Sequence, residues 1–268
     1  MGKAFGPSRS WFVLLLGLSL FWAPQGVRAH PSFLGPTGGL NTPNPLTLAP
    51  EKTEVAIHLE GINEYSPQTL ATETVFDLSP KVLVGVYDFL ELGVEQTVRV
   101  NSGFKNESCT INMKYRFPLD SFNVAVGALI ATGTADWSTG YVVMGWKVLY
   151  GGFGVNFGGR SFREITEDQF VNVGTAKMGG YNLRRALRDG TDVFTGEPDS
   201  FFGIVGLDYK LAEHLEFLAD FDGDRFSAGI RLPFHSWGFD AAYVSQRAND
   251  TLFSRNTQHW RIGFMGHW

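Results

Sequence analysis

The sequence predicts an all-β fold, an antiparallel up-and-down transmembrane β-barrel of about twelve strands. Three observations carry that expectation. From Val55 onwards the chain is a succession of segments in which every second residue is apolar, the period of a strand whose two faces meet different surroundings. The links between segments are mostly very short and long in turn, as in a barrel with tight turns at one membrane face and loops at the other. The last segment, 256–268, sets Trp260, Ile262, Phe264 and Trp268 on one face and His259, Arg261, Gly263, Met265 and His267 on the other. Fraying would put two tryptophans into water, so this face is expected to close a barrel and touch lipid.

The chain opens on Lys3 and Arg9 ahead of an apolar run from Trp11 to Trp22, followed by Val27-Arg28-Ala29. Basic residues, a short apolar stretch and small residues at −3 and −1 form a signal peptide, expected to span residues 1–29 with cleavage after Ala29. The run is about 12 residues long, well short of the roughly 20 that a spanning helix needs. No later apolar stretch approaches that length, so strands must make any crossing in the mature chain. Residue 30 is His and not Cys, and no lipid anchor is expected there.

Losing residues 1–29 removes three basic residues and no acidic ones, leaving 19 Lys+Arg against 27 Asp+Glu. That balance argues against nucleic acid as a partner, since phosphate binding needs a basic face. The single cysteine, Cys109, excludes an internal disulfide. The 32 glycines and 14% aromatics suit a crowded barrel interior and an aromatic girdle.

Residues 30–50 are not expected to be a strand. Pro31, Pro36, Pro43, Pro45 and Pro50 cannot donate to a ladder, and Gly35, Gly38 and Gly39 favour turns. The stretch can be a flexible tether between signal peptide and barrel. Alternatively it packs into the periplasmic mouth, with Phe33, Leu34 and Leu40 as anchors, and narrows the opening. Within it, Gly35-Pro-Thr-Gly-Gly-Leu-Asn-Thr-Pro43 resembles the opening motif of the YjbH-like outer-membrane proteins, departing from it at Gly39 and at Asn44-Pro45. The ending on Trp268 resembles the C-terminal assembly signal of bacterial outer-membrane barrels. The first resemblance implies an envelope barrel associated with exopolysaccharide production or export. The second implies handling by the barrel assembly machinery.

The barrel domain is expected over 51–268. Its first strand alternates Val55, Ile57 and Leu59 with Ala56, His58 and Glu60, and the second, 72–86, ends in Val82, Val84 and Val86 against Lys81 and Gly85. The third sets Leu90, Leu92, Val94 and Val98 against Glu91, Gly93, Glu95, Thr97 and Arg99. The fourth opposes Ile111, Met113, Tyr115 and Phe117 to Thr110, Asn112, Lys114 and Arg116, and the fifth Phe122, Val124, Val126, Ala128 and Ile130 to Asn123, Ala125 and Gly127. The sixth is expected to run from Val142 through Trp146 and Val148 to Tyr150, with a turn at Gly151-Gly152 and a short seventh from Phe153 to Phe157. Strands eight to eleven follow around Val205–Leu211, Leu215–Phe221, Phe226–Leu232 and Trp237–Tyr243, and the terminal strand makes twelve. An extra strand pair around 170–176 would make fourteen. Aromatics flank the short turns, among them Tyr87, Phe117, Phe122, Tyr150 and Trp237, and mark one membrane interface.

The polar faces are expected to line the lumen. Hairpin pairing then sets Lys81 opposite Glu95 and Lys210 opposite Glu216, so that opposed charges neutralise each other. Gly93, Gly127, Gly145, Gly206 and Gly229 would leave room beside them. The long link 160–200 is basic in an acidic protein, with Arg160, Arg163, Lys177, Arg184, Arg185 and Arg188. It is either a surface loop or an inward fold that holds an anionic sugar or lipopolysaccharide group.

No catalytic or metal set stands out, and no cofactor is expected. His259 and His267 share a strand face but lie roughly 26 Å apart, too far to share a metal. The Gly-x-Ser-x-Gly elbow is missing. Asp220-Phe-Asp222-Gly-Asp224 reads as an acidic hairpin and lacks the closing glutamate of a calcium loop. The expected function is that of an outer-membrane envelope barrel, exported by its signal peptide and linked to exopolysaccharide. Two alternatives stay open: a small porin-like diffusion channel and, more distantly, a lipid-modifying enzyme.

Overall fold

The computed structural model describes residues 29–32, 35–66, 71–100, 107–117, 119, 122–133, 138–157, 201–222, 225–246 and 257–268. Alternating sequence becomes twelve strands: β1 (Thr53–Ser66), β2 (Ala71–Tyr87), β3 (Leu90–Arg99), β4 (Glu107–Phe117), β5 (Asn123–Gly133), β6 (Ser138–Trp146), β7 (Leu149–Phe157), β8 (Phe201–Ala212), β9 (Leu215–Phe221), β10 (Arg225–Pro233), β11 (Trp237–Gln246) and β12 (Thr257–His267). Each pairs antiparallel with its sequence neighbours, and β1 pairs with β12 to close the ring. Closure matters because an open edge of unpaired N–H and C=O groups cannot sit in lipid. The seam registers Ile57 with Phe264 and Leu59 with Ile262, and Thr53 and Trp268 exchange both backbone hydrogen bonds, at 3.1 and 3.0 Å. β7 pairs directly with β8, so the ladder holds twelve strands and not fourteen.

The two faces are inverted relative to a soluble protein. Ile57, Val94, Ile111, Ile130, Met144 and Val205 point outward and are exposed, whereas Lys81, Glu91, Lys114, Arg231 and Asp240 point inward and are buried. Val94→Arg would put a charge on the outer face and is expected to cost about 2–4 kcal/mol near mid-bilayer. Urea unfolding of the barrel in lipid vesicles reads that loss, and an unchanged midpoint would mean the face is not lipid-facing.

Two boundaries differ from expectation. The sixth hairpin turns at Lys147-Val148, with Lys147 at φ 54°, so Gly151 and Gly152 belong to β7. The glycine pair looks like a turn by composition, but Trp146 pairs with Leu149 ahead of it, and the phase of the strand flips. Val148 and Tyr150, expected outside, are buried, and Tyr150 leaves the aromatic belt for the interior. The first hairpin is longer than its apolar alternation, pairing out to Ser66 and Ala71, well beyond the Val55–Glu60 stretch read as the first strand. Its far end is polar, and polar residues carry no alternation signal even when their backbone continues a ladder.

An aromatic girdle rims the end bearing the short turns. Phe234 stacks on Trp237 at 4.0 Å, Trp237 on Phe264 at 6.0 Å, and Tyr115 meets Phe117 edge-on at 5.1 Å. Trp146, Trp237 and Trp268 are exposed there, in the place where amphipathic rings anchor a barrel at a membrane–water interface.

Candidate functional site

The barrel interior holds the chain's own residues 30–32 and 35–48. Five prolines keep this stretch out of the barrel ladder, and it folds on itself instead. Pro31 bridges to Thr37 and Gly38 to Pro43, Ser32 N donates to Pro36 O at 2.8 Å, and Gly39 N donates to Thr42 O at 3.0 Å. Ser32, Thr37, Leu40, Asn41 and Thr42 have no exposed surface. The segment passes into the wall through a tight reversal at Ala49–Lys52, with Glu51 at φ 64°. Gly85 of β2 accommodates this reversal, because a Cβ there would collide with the Ala49 carbonyl. Of the three anchors expected, Leu40 is buried against Leu218 and Ala242, while Phe33 and Leu34 lie outside the described residues.

A buried irregular backbone must find partners for its N–H and C=O groups, and here the wall supplies them. The Asp220 carboxylate on β9 accepts the backbone N–H groups of Leu40 (2.8 Å), Asn41 (2.6 Å) and Thr42 (2.9 Å). Glu91 on β3 accepts Thr37 N at 2.9 Å, Thr37 Oγ1 at 2.8 Å and Leu48 N at 3.1 Å. The carbonyls are met by cations. Lys81 Nζ donates to Ser32 O at 3.0 Å, Lys114 Nζ to Thr37 O at 2.7 Å, and Arg231 to Gly38 O at 3.4 Å and Gly39 O at 3.2 Å. Asn41 reaches Ser227 and Arg261 through its side-chain amide, and Tyr150 Oη lies 2.9 Å from Thr42 Oγ1. Hydrogen bonds with one ionised partner are stronger than neutral ones, so charged walls hold a plain backbone firmly.

His30 Nδ1 sits 2.8 Å from Glu54 Oε1 on β1. Burial, with Arg231 nearby, holds the imidazole well below its ordinary value, to about 3. A neutral ring donating Nδ1–H to the carboxylate fits both facts. The wall cations are themselves paired: Arg231 Nε donates to Asp240 at 2.9 Å, Arg99 to Asp77 at 2.9 Å, and Arg225 to Asp222 at 2.8–3.0 Å.

Lys81 lies opposite Glu95, with Nζ 3.7 Å from Oε2. Lys210 also lies opposite Glu216, but no ion pair joins them among the described residues. The ladder shifts register just beyond Lys210, which is half-exposed, whereas Glu216 is buried and faces Arg231 on its other side. Trp260, Ile262 and Phe264 on β12, and Trp268 just beyond it, all face outward. Arg160, Arg163, Lys177, Arg184, Arg185 and Arg188 lie outside the described residues. In the acidic hairpin, Asp220 serves the plug and Asp222 serves Arg225.

The interior is also less polar than expected. Ala125, Leu129, Tyr141, Val143, Tyr150, Phe202 and Ile204 form a buried apolar cluster inside the barrel. A lumen filled by protein is a core and packs as one, so its inner face need not be uniformly polar. The glycines do leave room, and the room is taken: Pro45 fills the space over Gly145 and the Tyr150 ring that over Gly206.

The NanC porin has a similar barrel, with a TM-score of 0.51 at 11% identity over 79% of this chain and 98% of that chain. The fold is that of an outer-membrane β-barrel. The KdgM porin superposes with a TM-score of 0.47 at 7% identity (80% and 98% covered), and the outer-membrane phospholipase A of Escherichia coli with 0.43 at 12% (83% and 93%). At these identities likeness shows the fold alone. No family model matches the sequence, and no curated protein matches it.

Proposed function

We propose that this chain is a porin-like outer-membrane barrel whose passage is closed by its own residues 30–50. The observation that carries the reading is the seat itself, in which wall carboxylates and cations hold the segment's backbone across the lumen. A covalent plug built from turns and held by hydrogen bonds, with no ladder pairing to the wall among the described residues, can leave without opening the barrel. Export through cleavage after Ala29, handling by the barrel assembly machinery and contact with outer-membrane lipid belong to the same reading. Planar-bilayer recording tests it. The wild-type protein is expected to be silent at low voltage, and deleting residues 31–48 is expected to yield stable ohmic steps. A deletion variant that folds, as its heat-modifiable gel band would show, yet stays silent would contradict it.

One observation favours the exopolysaccharide link as a second reading. The motif Gly35–Pro43 that resembles the YjbH-like proteins supplies Thr37, Leu40, Asn41 and Thr42, the residues most engaged with the wall. Disrupting the gene should then lower secreted exopolysaccharide, and an unchanged yield would remove this reading while leaving the plugged barrel intact.

A further inference from the structure

The charges on the inner wall do not balance. Six buried wall cations among the described residues each have a wall carboxylate within 4 Å: Lys81 with Glu95, Arg99 with Asp77, Lys114 with Glu91, Arg225 with Asp222, Arg231 with Asp240 and Arg261 with Glu60. Four further buried carboxylates, Glu54, Asp208, Glu216 and Asp220, have no such ion pair with a wall cation among the described residues. Two of these are bonded by the plug, Glu54 through His30 and Asp220 through three backbone N–H groups on its Oδ2, its Oδ1 being buried with no partner among the described residues. Asp208 is approached by the side chain of Asn44, again from the plug, and one oxygen of Glu216 is buried with no hydrogen-bond partner among the described residues. His30 feels the charges of Glu216, Asp240 and Arg231, and Asn44 lies beside Asp208, so the surplus surrounds the plug.

We propose that, once residues 30–50 leave their seat, the lumen passes cations in preference to anions. The inference rests on the porin-like reading above. Displacement takes away His30 and the donors of Leu40, Asn41 and Thr42, and water enters around carboxylates that have no ion pair of their own; Arg231, whose charge reaches Asp208 and Glu216, is already bonded twice to Asp240. A narrow channel with low-dielectric walls focuses such a field, and rings of carboxylates select cations. Arg116 and Lys210 sit at the turn end, half-exposed, where salt screens charges over about 8 Å. The preference is opposite in sign to the anion-holding role expected of 160–200. It makes small inorganic or organic cations the solute class.

The test uses the full-length chain with Gly38→Val and Gly39→Val, neutral changes that unseat the plug. A Cβ at Gly38 meets the Thr42 backbone, and one at Gly39 meets Tyr150 and Asp220. Across a tenfold KCl gradient the reversal potential is expected to shift towards that of K⁺. Adding Asp208→Asn and Glu216→Gln should bring it back towards zero. Conductance without selectivity, or with anion preference, overturns this inference and leaves gated passage standing. If the double valine variant does not give a heat-modifiable barrel, deletion of residues 31–48 carries the same measurement. Silence of a folded, unseated variant overturns both.

Discussion

Replacing Arg231 by leucine is expected to destabilise the barrel by about 3–5 kcal/mol, because it leaves a buried carboxylate without its partner. Arg231 and Asp240 are both fully buried and bonded twice, at 2.9 and 3.1 Å, and Arg231 also donates to the plug carbonyls of Gly38 and Gly39. The double change Arg231→Leu with Asp240→Leu should recover much of the barrel loss, since a removed pair leaves no orphan charge. It should not recover the plug contacts. Urea unfolding in vesicles reads the barrel, and protease protection of the N-terminal segment reads the plug. If the single and double variants unfolded alike, the pair would not be the unit that matters.

The second large effect is expected at Asp220, where alanine should release the plug and spare the barrel. Three backbone N–H groups converge on one oxygen of this carboxylate. Even at about 1 kcal/mol for each orphaned buried donor, the seat loses ~3 kcal/mol. The β9–β10 ladder beside it is backbone-made and does not need the side chain. Proteinase K should therefore trim residues 30–50 from the Asp220→Ala protein and leave a heat-modifiable barrel, while the wild type keeps them. Wild-type protection in the variant would show that Asp220 is a bystander.

How much of this was legible in the sequence follows from what alternation can report. Val94 beside Glu95, or Ile111 beside Asn112, announces a wall with two different faces, and the short turns place its ends. The barrel and the Lys81–Glu95 pairing follow from such local signals. Alternation is silent on what fills the inside. Asp220 and Glu91 looked like ordinary inward polar residues, because their partners are backbone N–H groups about 180 and 50 positions away. Proline content alone excluded residues 30–50 from the wall and left tether and plug equally open. Tyr150 was misplaced because Gly151-Gly152 mimics a turn, and a misplaced turn inverts the side chains between its real and its expected position, here Val148 and Tyr150, while Phe153 and Val155 face outward as expected.

The measurement closest to the central claim is a cross-link inside the barrel. The side chains of Asn41 on the plug and Ser227 on β10 are hydrogen-bonded partners. With Cys109→Ser removing the native thiol, Asn41→Cys and Ser227→Cys should join in a disulfide in the membrane-embedded full-length protein under mild oxidation. Unfolded and unreduced, the cross-linked chain should migrate differently on a gel, and reduction should abolish the difference. A pair that stays free, and is readily alkylated by a membrane-impermeant maleimide, would mean that residues 30–50 do not occupy the lumen.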